Sequence, residues 1–132
     1  MIRHLDSRTS VSGQLQPDAI ASLAAAGVTL IINNRQDGEE PGQPGALELR
    51  RAADDAGVAF LEVPIQGRPD NAVIDSLART LAGGDARIHL FCRSGTRSAA
   101  AWALVQIRGG QPVDAVLSAA RAAGYDLAGL FV

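Results

Sequence analysis

A chain of 132 residues, with 47% hydrophobic and 20% charged residues, has the size and balance of one globular domain with a single core. Its net charge of −2 and its low aromatic content of 4% give no basis for binding nucleic acid or an anionic membrane. No stretch has the length and apolarity of a signal peptide or a membrane span, and a single cysteine cannot form an internal disulfide, so we expect a cytoplasmic protein.

The first third of the chain alternates short apolar runs with helical patterns. Residues 9–15, TSVSGQL, alternate weakly and are predicted to form a short edge strand. Pro17 suits the first position of a helix over 17–27. The β-branched run 28–34, VTLIINN, is typical of a strand buried on both faces. The Gly- and Pro-rich segment 38–45 is predicted to be a surface loop inside the domain.

The rest of the chain repeats this alternation. The predicted elements are a helix over 44–57, a strand over 58–65, a helix within 67–84, a strand over 87–92, and helices over 97–110 and 112–124. Strands that are apolar throughout, in alternation with helices, predict an α/β domain over 1–132: a parallel sheet flanked by helices on both faces. Ligands of such sheets bind beyond the carboxyl ends of the strands, where Cys92 is expected.

The segment HLFCRSGTRSAAAW, residues 89–102, contains the only cysteine of the chain. Cys92 ends a strand, and a turn with Gly95 leads into a helix whose positive end and Arg97 can bind an oxyanion. The same positive groups favour the thiolate form of Cys92, which makes it a candidate nucleophile. Ser98 is predicted to donate a hydrogen bond to the thiolate or to a departing group.

Further site residues are predicted around this loop, each with a simpler alternative. Asp70 is either a catalytic acid or only the cap of the helix that follows it. His89 and Trp102 are predicted to be structural. Residues expected to bind the substrate anion are Arg93, Ser94, Gly95, Thr96 and Arg35; Arg93 could instead point to solvent, and Arg35 could pair with Asp37, Glu39 or Glu40.

Four stretches together resemble one bacterial family, the beta-lactamase-hydrolase-like protein, phosphatase-like domain family. They are HLDSRTSVSGQLQPDAI, GVTLIINNRQDGEEPGQP, VPI and FCRSGTRSAAAWAL. The resemblance covers nearly the whole chain and implies a dual-specificity-phosphatase-like fold. Members are called sulfur transferases or phosphatases, and some carry a fused metallo-beta-lactamase-like persulfide dioxygenase. The metal ligands of that second domain are absent here, so we predict no metal and no cofactor.

The loop CRSGTRS resembles the active-site loops of both protein tyrosine phosphatases and rhodaneses. In the phosphatases the pattern is His-Cys-x5-Arg, whereas here Phe91 stands in place of the histidine and only residues 93–96 separate Cys92 from Arg97. This shorter loop is of the rhodanese type and narrows the anion cradle. Sulfur transfer also needs no acid for its leaving group, unlike the hydrolysis of a phosphate ester.

These points favour a sulfurtransferase that forms a Cys92 persulfide from thiosulfate or a low-molecular-weight persulfide. Because no second cysteine exists, an external thiol or cyanide must accept the sulfur. The expected partners are therefore a small anionic sulfur donor, or a phosphate ester, and a persulfide dioxygenase that works beside the protein. The alternatives are a phosphatase acting through a cysteinyl phosphate and a non-catalytic sensor of anions or persulfides.

Overall fold

A five-stranded sheet with helices on both faces forms the part of the chain that the computed structural model describes, residues 1–82 and 84–131. The strands are β1 Arg3–His4, β2 Thr9–Ser12, β3 Leu30–Asn33, β4 Ala59–Glu62 and β5 Ile88–Phe91. The helices are α1 Pro17–Ala25, α2 Ala46–Ala56, α3 Asn71–Leu81, α4 Thr96–Arg108 and α5 Val113–Ala122, and a short 3₁₀ helix, Ala128–Phe131, follows them.

The strands lie in the order β1-β2-β5-β3-β4. The neighbours β2, β5, β3 and β4 run parallel to one another, and only the pairing of β1 with β2 is antiparallel within the described sheet. The predicted α/β class, with a largely parallel sheet and helices on both faces, is confirmed. The short strand β1 adds the antiparallel pairing, so the sheet is mostly parallel.

The strand predicted within residues 9–15 is confirmed as β2, but its predicted position at the edge of the sheet is wrong. All four residues of β2 are buried, because β1 folds back along the outer side of β2. The turn between them is closed by the Asp6 carboxylate, which accepts hydrogen bonds from the backbone N–H groups of Arg8 and Thr9 at 2.8 and 2.7 Å. A strand of two exposed residues leaves no periodic pattern in a sequence, so β1 could not be predicted.

Alternate side chains of the central strands pack on opposite sides of the sheet. Ile31 of β3 and Phe91 of β5 join a buried cluster with α1 and α2. Ile32 and Leu90, their neighbours along the same strands, pack against α3 and α4. A third cluster packs α5 on α4 and includes Trp102, which is 3% exposed as a core residue should be.

The carboxyl ends of the parallel strands meet at one edge of the sheet. Phe91, the last residue of β5, is paired with Ser12 of β2 on one side and with Asn33 of β3 on the other. The next residue of the chain is Cys92, so the fold delivers the cysteine to the centre of this edge. Among the described residues, no helix is long and apolar enough to cross a membrane.

Candidate active site

Cys92 begins a tight loop between β5 and α4. The residue is 1% exposed, and its backbone N–H donates to the Ser12 carbonyl oxygen at 3.4 Å, which continues the pairing of β5 with β2. Two residues later the chain turns, and α4 begins at Thr96. The thiol therefore lies at the floor of the loop, with the N-terminus of a 13-residue helix beside it.

The backbone N–H of Gly95 donates to the Cys92 sulfur at 3.1 Å. Gly95 adopts φ +96°, a left-handed conformation that a residue with a side chain rarely takes, and it occupies the N-cap position of α4. Ser94 and Thr96 flank it, and their hydroxyls lie 3.2 Å apart at the exposed rim of the loop. The loop therefore directs one backbone N–H group, that of Gly95, at the sulfur.

Gly13, which follows β2, supports the loop from below. A Cβ atom at this position would lie 2.8 Å from the carbonyl oxygen of Arg93, a separation too short for real atoms. The next residue, Gln14, donates its backbone N–H to that same carbonyl at 3.3 Å. Sequence reasoning missed Gly13; its only signal is a lone glycine at the end of an apolar run, which is typical of a close approach of two backbones.

Arg97 lies in the first turn of α4 and is held by Glu39 from the 36–45 loop. Its Nη1 and Nη2 donate to the two carboxylate oxygens of Glu39 at 2.8 and 2.7 Å, and Nη1 also donates to the carbonyl oxygen of Ile65 at 2.7 Å. These bonds use three of the five guanidinium N–H groups. The other two, on Nε and Nη2, share one edge, and Arg97 also interacts with the Cys92 sulfur.

The charges of Glu39 and Arg97 are strongly linked. Hydrogen bonds from Arg97, together with those from Arg35, lower the pKa of the Glu39 carboxyl from 4.5 to about 2 in spite of its partial burial. Glu39 in turn raises the pKa of Arg97. Glu39 is therefore a carboxylate throughout the physiological range and fixes the direction in which Arg97 points. Sequence reasoning placed Glu39 only as an alternative partner of Arg35.

Arg35 is not available to a substrate, and its predicted contact with the anion is corrected. Its side chain is fully buried, with Nε 2.8 Å from Glu39, Nη2 2.9 Å from Glu40 and Nη1 2.8 Å from the side-chain oxygen of Gln14. The two glutamates of the surface loop neutralise it, which is the simpler alternative stated above. Arg35 therefore anchors the 36–45 loop that carries Glu39.

The predicted role of Ser98 as a donor to the thiolate is also corrected. Ser98 is fully buried in the first turn of α4, and its hydroxyl donates to the side-chain oxygen of Asn34 at 2.8 Å. A hydroxyl has one hydrogen to donate, so this bond uses the donor that the thiolate would need. Asn34 is held in turn by its own donation to the carbonyl oxygen of Val63 at 2.8 Å.

Two further predicted residues lie at the margin of the site. The Arg93 side chain is 67% exposed and lies 3.5 Å from Glu40, so it extends into solvent as its alternative predicted. Asp70 caps α3: its carboxylate accepts the backbone N–H of Val73 at 2.9 Å. This cap is confirmed, whereas a catalytic role for Asp70 stays a prediction.

A groove of about 320 Å³ opens beside Arg97. Thr96 and Arg97 form one wall, the 67–69 loop forms another, and the segment after α5 closes it with Asp126 and Leu127. Tyr125, next to Asp126, reaches the loop itself: its hydroxyl lies 3.4 Å from the Ser94 carbonyl oxygen. Sequence reasoning missed Tyr125 and Asp126, because no local pattern connects the segment YDLAGLFV with a loop some thirty positions earlier.

His89 is structural, as predicted, and not part of the site. It is fully buried on β5, and its Nδ1 and Nε2 each lie 2.8 Å from a serine hydroxyl of β2, Ser10 and Ser12. Burial lowers its pKa to about 4, so the ring is neutral at physiological pH. These two hydrogen bonds join β5 to β2 close to the point where β5 leads into Cys92.

Comparison with known proteins agrees with this geometry. The sequence model of the family "Beta-lactamase hydrolase-like protein, phosphatase-like domain" matches residues 1–109. The chain belongs to that family. A beta-lactamase hydrolase-like protein of Xylella fastidiosa strain Temecula1 is 36% identical over 125 residues, which is 93% of this chain and 29% of the relative. The chain thus spans less than a third of the length of the curated relatives it matches first.

Solved structures with the same fold include phosphatases and candidate phosphatases. A candidate phosphatase from Neisseria meningitidis is 28% identical, with a TM-score of 0.86 over 98% of this chain and 92% of that one. Kinase-associated phosphatase, solved with its catalytic-site cysteine replaced by serine, has 15% identity and a TM-score of 0.74 over 93% of this chain and 76% of that one. The dual-specificity-phosphatase-like fold implied by the sequence resemblance is confirmed, and a phosphatase-like family is shown.

Proposed function

We propose that the protein is a cysteine-dependent phosphatase that hydrolyses a phosphate monoester through a cysteinyl phosphate on Cys92. The proposal rests on the arrangement around the sulfur: Gly95 N–H donates to it at 3.1 Å, and the Arg97 guanidinium interacts with it. It is supported by a phosphatase-like family and by a fold shared with a phosphatase that uses a cysteine. This reverses the order of the two functions favoured by the sequence.

The reaction needs a group that protonates the leaving oxygen. The sequence offered only Asp70, which it explained equally well as a helix cap, and this was one argument against a phosphatase beside the short loop. Asp126 supplies a candidate, since it lines the groove together with Thr96 and Arg97. Asp70 does not line this groove, and this position distinguishes the two acids, because each carboxylate accepts one backbone N–H: Asp70 from Val73 at 2.9 Å and Asp126 from Ala128 at 3.2 Å. We therefore assign the acid to Asp126 within this proposal.

The proposed reaction has two steps that balance. The Cys92 thiolate attacks phosphorus, the S–P bond forms, the ester P–O bond breaks, and the leaving oxygen takes the proton of Asp126. Water then attacks the cysteinyl phosphate and gives its proton to the Asp126 carboxylate, and the S–P bond breaks to release inorganic phosphate. Arg97 and the loop N–H groups bind the phosphoryl oxygens in both steps.

Hydrolysis of an aryl phosphate and an alkyl phosphate by the purified protein tests this proposal. Cys92→Ser should abolish turnover of both. Asp126→Asn should lower kcat for the alkyl ester by roughly 10²–10⁴-fold and affect the aryl ester less, because phenolate needs little protonation. Asp70→Asn, the matched control, should leave both rates near the wild-type value. Binding of phosphate without turnover of any ester would reject the proposal in favour of an anion sensor.

Sulfur transfer is the second candidate, and the spacing of Cys92 and Arg97, five positions apart, favours it. In that reaction Cys92 attacks the outer sulfur of thiosulfate, sulfite leaves, and an external thiol removes the sulfur from the Cys92 persulfide. Pairing with a persulfide dioxygenase belongs to this candidate alone. A gain of one sulfur atom in intact mass after incubation with thiosulfate or glutathione persulfide, absent in Cys92→Ser, would support it over the phosphatase.

A further inference from the structure

Tyr125, the only tyrosine of the chain, contacts the active-site loop at its tightest point. Its hydroxyl donates a long hydrogen bond of 3.4 Å to the carbonyl oxygen of Ser94. The same hydroxyl oxygen lies 2.1 Å from the position that a Cβ atom on Gly95 would occupy. The absence of a side chain at Gly95 therefore allows the tyrosine to rest on the loop.

The two ends of a single peptide group link Tyr125 to the cysteine. The Ser94 carbonyl and the Gly95 N–H belong to the same trans peptide, so they point in opposite directions. The carbonyl faces the Tyr125 hydroxyl, and the N–H faces the Cys92 sulfur at 3.1 Å. A hydrogen bond to a carbonyl polarises its peptide and makes the N–H a stronger donor.

The tyrosine is built into this position. Its backbone N–H donates to the carbonyl oxygen of Ala120 at 2.9 Å, which closes the end of α5, and its ring packs on the buried cluster that contains Leu5 and Leu127. Burial raises the pKa of Tyr125, and the Cys92 charge raises it further, so the hydroxyl keeps its proton and remains a donor.

We propose that Tyr125 is a positioning residue of the active site, which holds the Ser94–Gly95 peptide so that its N–H stabilises the Cys92 thiolate. The inference deepens the proposed function, since it rests on Cys92 acting as a thiolate, which both candidate reactions require. The titratable groups that interact electrostatically with the sulfur are Arg97 from α4 and Tyr125 itself; Glu39 binds Arg97, and Arg3 interacts with Tyr125. Tyr125 lies beyond the residues matched by the family model.

The test is a titration of the Cys92 thiolate by its ultraviolet absorbance, without substrate, with Cys92→Ser variants as baselines. Tyr125→Phe keeps the ring and removes only the hydroxyl. It should raise the pH at which half of Cys92 is ionised and lower the fraction of thiolate below that pH about threefold, because the Gly95 N–H becomes a weaker donor to the sulfur. The rate of alkylation by iodoacetamide below the midpoint should fall by the same factor.

Thr80→Val is the matched control, because the Thr80 hydroxyl likewise donates to a backbone carbonyl, that of Ser76 in α3, at 3.0 Å. It should leave the midpoint unchanged. A wild-type midpoint in Tyr125→Phe, or an equal shift in Thr80→Val, would overturn the proposal. A normal Tyr125→Phe shift in a protein that hydrolyses no phosphate ester would reject the phosphatase and keep the role of Tyr125.

Discussion

Replacing Glu39 by glutamine removes the carboxylate that Arg97 and Arg35 share. A carboxyl pKa lowered from 4.5 to about 2 corresponds to about 3 kcal/mol of preferential stabilisation of the ionised form. Water reaches this side chain, which is 21% exposed, so solvent screening reduces the expected cost of Glu39→Gln to ~1–2 kcal/mol at neutral pH. Arg97 would also lose the partner that fixes its direction, so we expect lower phosphatase activity in the same variant.

The stabilisation by Glu39 should depend on pH in a defined direction. The folded pKa of Glu39 is lowered, so its stabilisation is complete above about pH 4.5 and is lost as the pH falls towards 2. Urea unfolding of wild type and Glu39→Gln over this range measures the difference in free energy of unfolding, which should shrink as the pH falls.

Glu62→Gln is the matched control for this measurement. Glu62 pairs with Arg50 at 2.9 Å, but both side chains are more than 40% exposed, so the loss should be below ~0.5 kcal/mol. A stability of Glu39→Gln equal to wild type at neutral pH would refute the reasoning. So would a difference that persists undiminished near pH 2.

Three further predictions concern residues around the loop. Gly95→Ala should abolish activity. It should also lower the free energy of unfolding, measured in urea, by more than Gly57→Ala does: both positions have positive φ, but only a methyl group at position 95 would collide with Tyr125. The free energy of unfolding of the wild type should fall by up to about 3 kcal/mol from pH 6.5 to pH 4, because in this range His89 binds a proton only in the unfolded state. His89→Gln should lack this fall in the same assay. Ser98→Ala should destabilise the fold by about 1 kcal/mol and leave the rate of Cys92 alkylation nearly unchanged, because its hydroxyl bonds Asn34; a large fall in that rate would restore Ser98 as a donor to the thiolate.

The regular elements of this fold could be predicted because their signals are local. Apolar runs mark β3 and β5, and the Asp70 cap and the glycines mark the ends of helices. β1 could not be predicted, since its two exposed residues form a strand only because the Asp6 turn folds them onto β2. The same pairing buries β2, although the weak alternation of its residues had predicted a strand at the edge of the sheet.

The residues of the site also fall into those that local sequence predicts and those that only the tertiary fold brings in. Cys92, Gly95 and Arg97 lie within one short segment, so their spacing predicts both the loop and the helix that follows it. Glu39 and Tyr125 come from a surface loop and from the end of the chain, and only the tertiary fold brings them to the cysteine. The predicted bond from Ser98 to the thiolate was wrong because Ser98 is close to the loop in sequence, while its hydroxyl bonds to Asn34, which follows a different strand.

Trapping the covalent intermediate tests the role of Cys92 most directly. The protein is mixed with an aryl phosphate, quenched in acid within one turnover and weighed intact. The proposed mechanism predicts a gain of one phosphoryl group, located on Cys92 by fragmentation and absent in Cys92→Ser. Release of the phenol by the wild-type protein with no phosphoryl group on Cys92 at any time of quenching would contradict it.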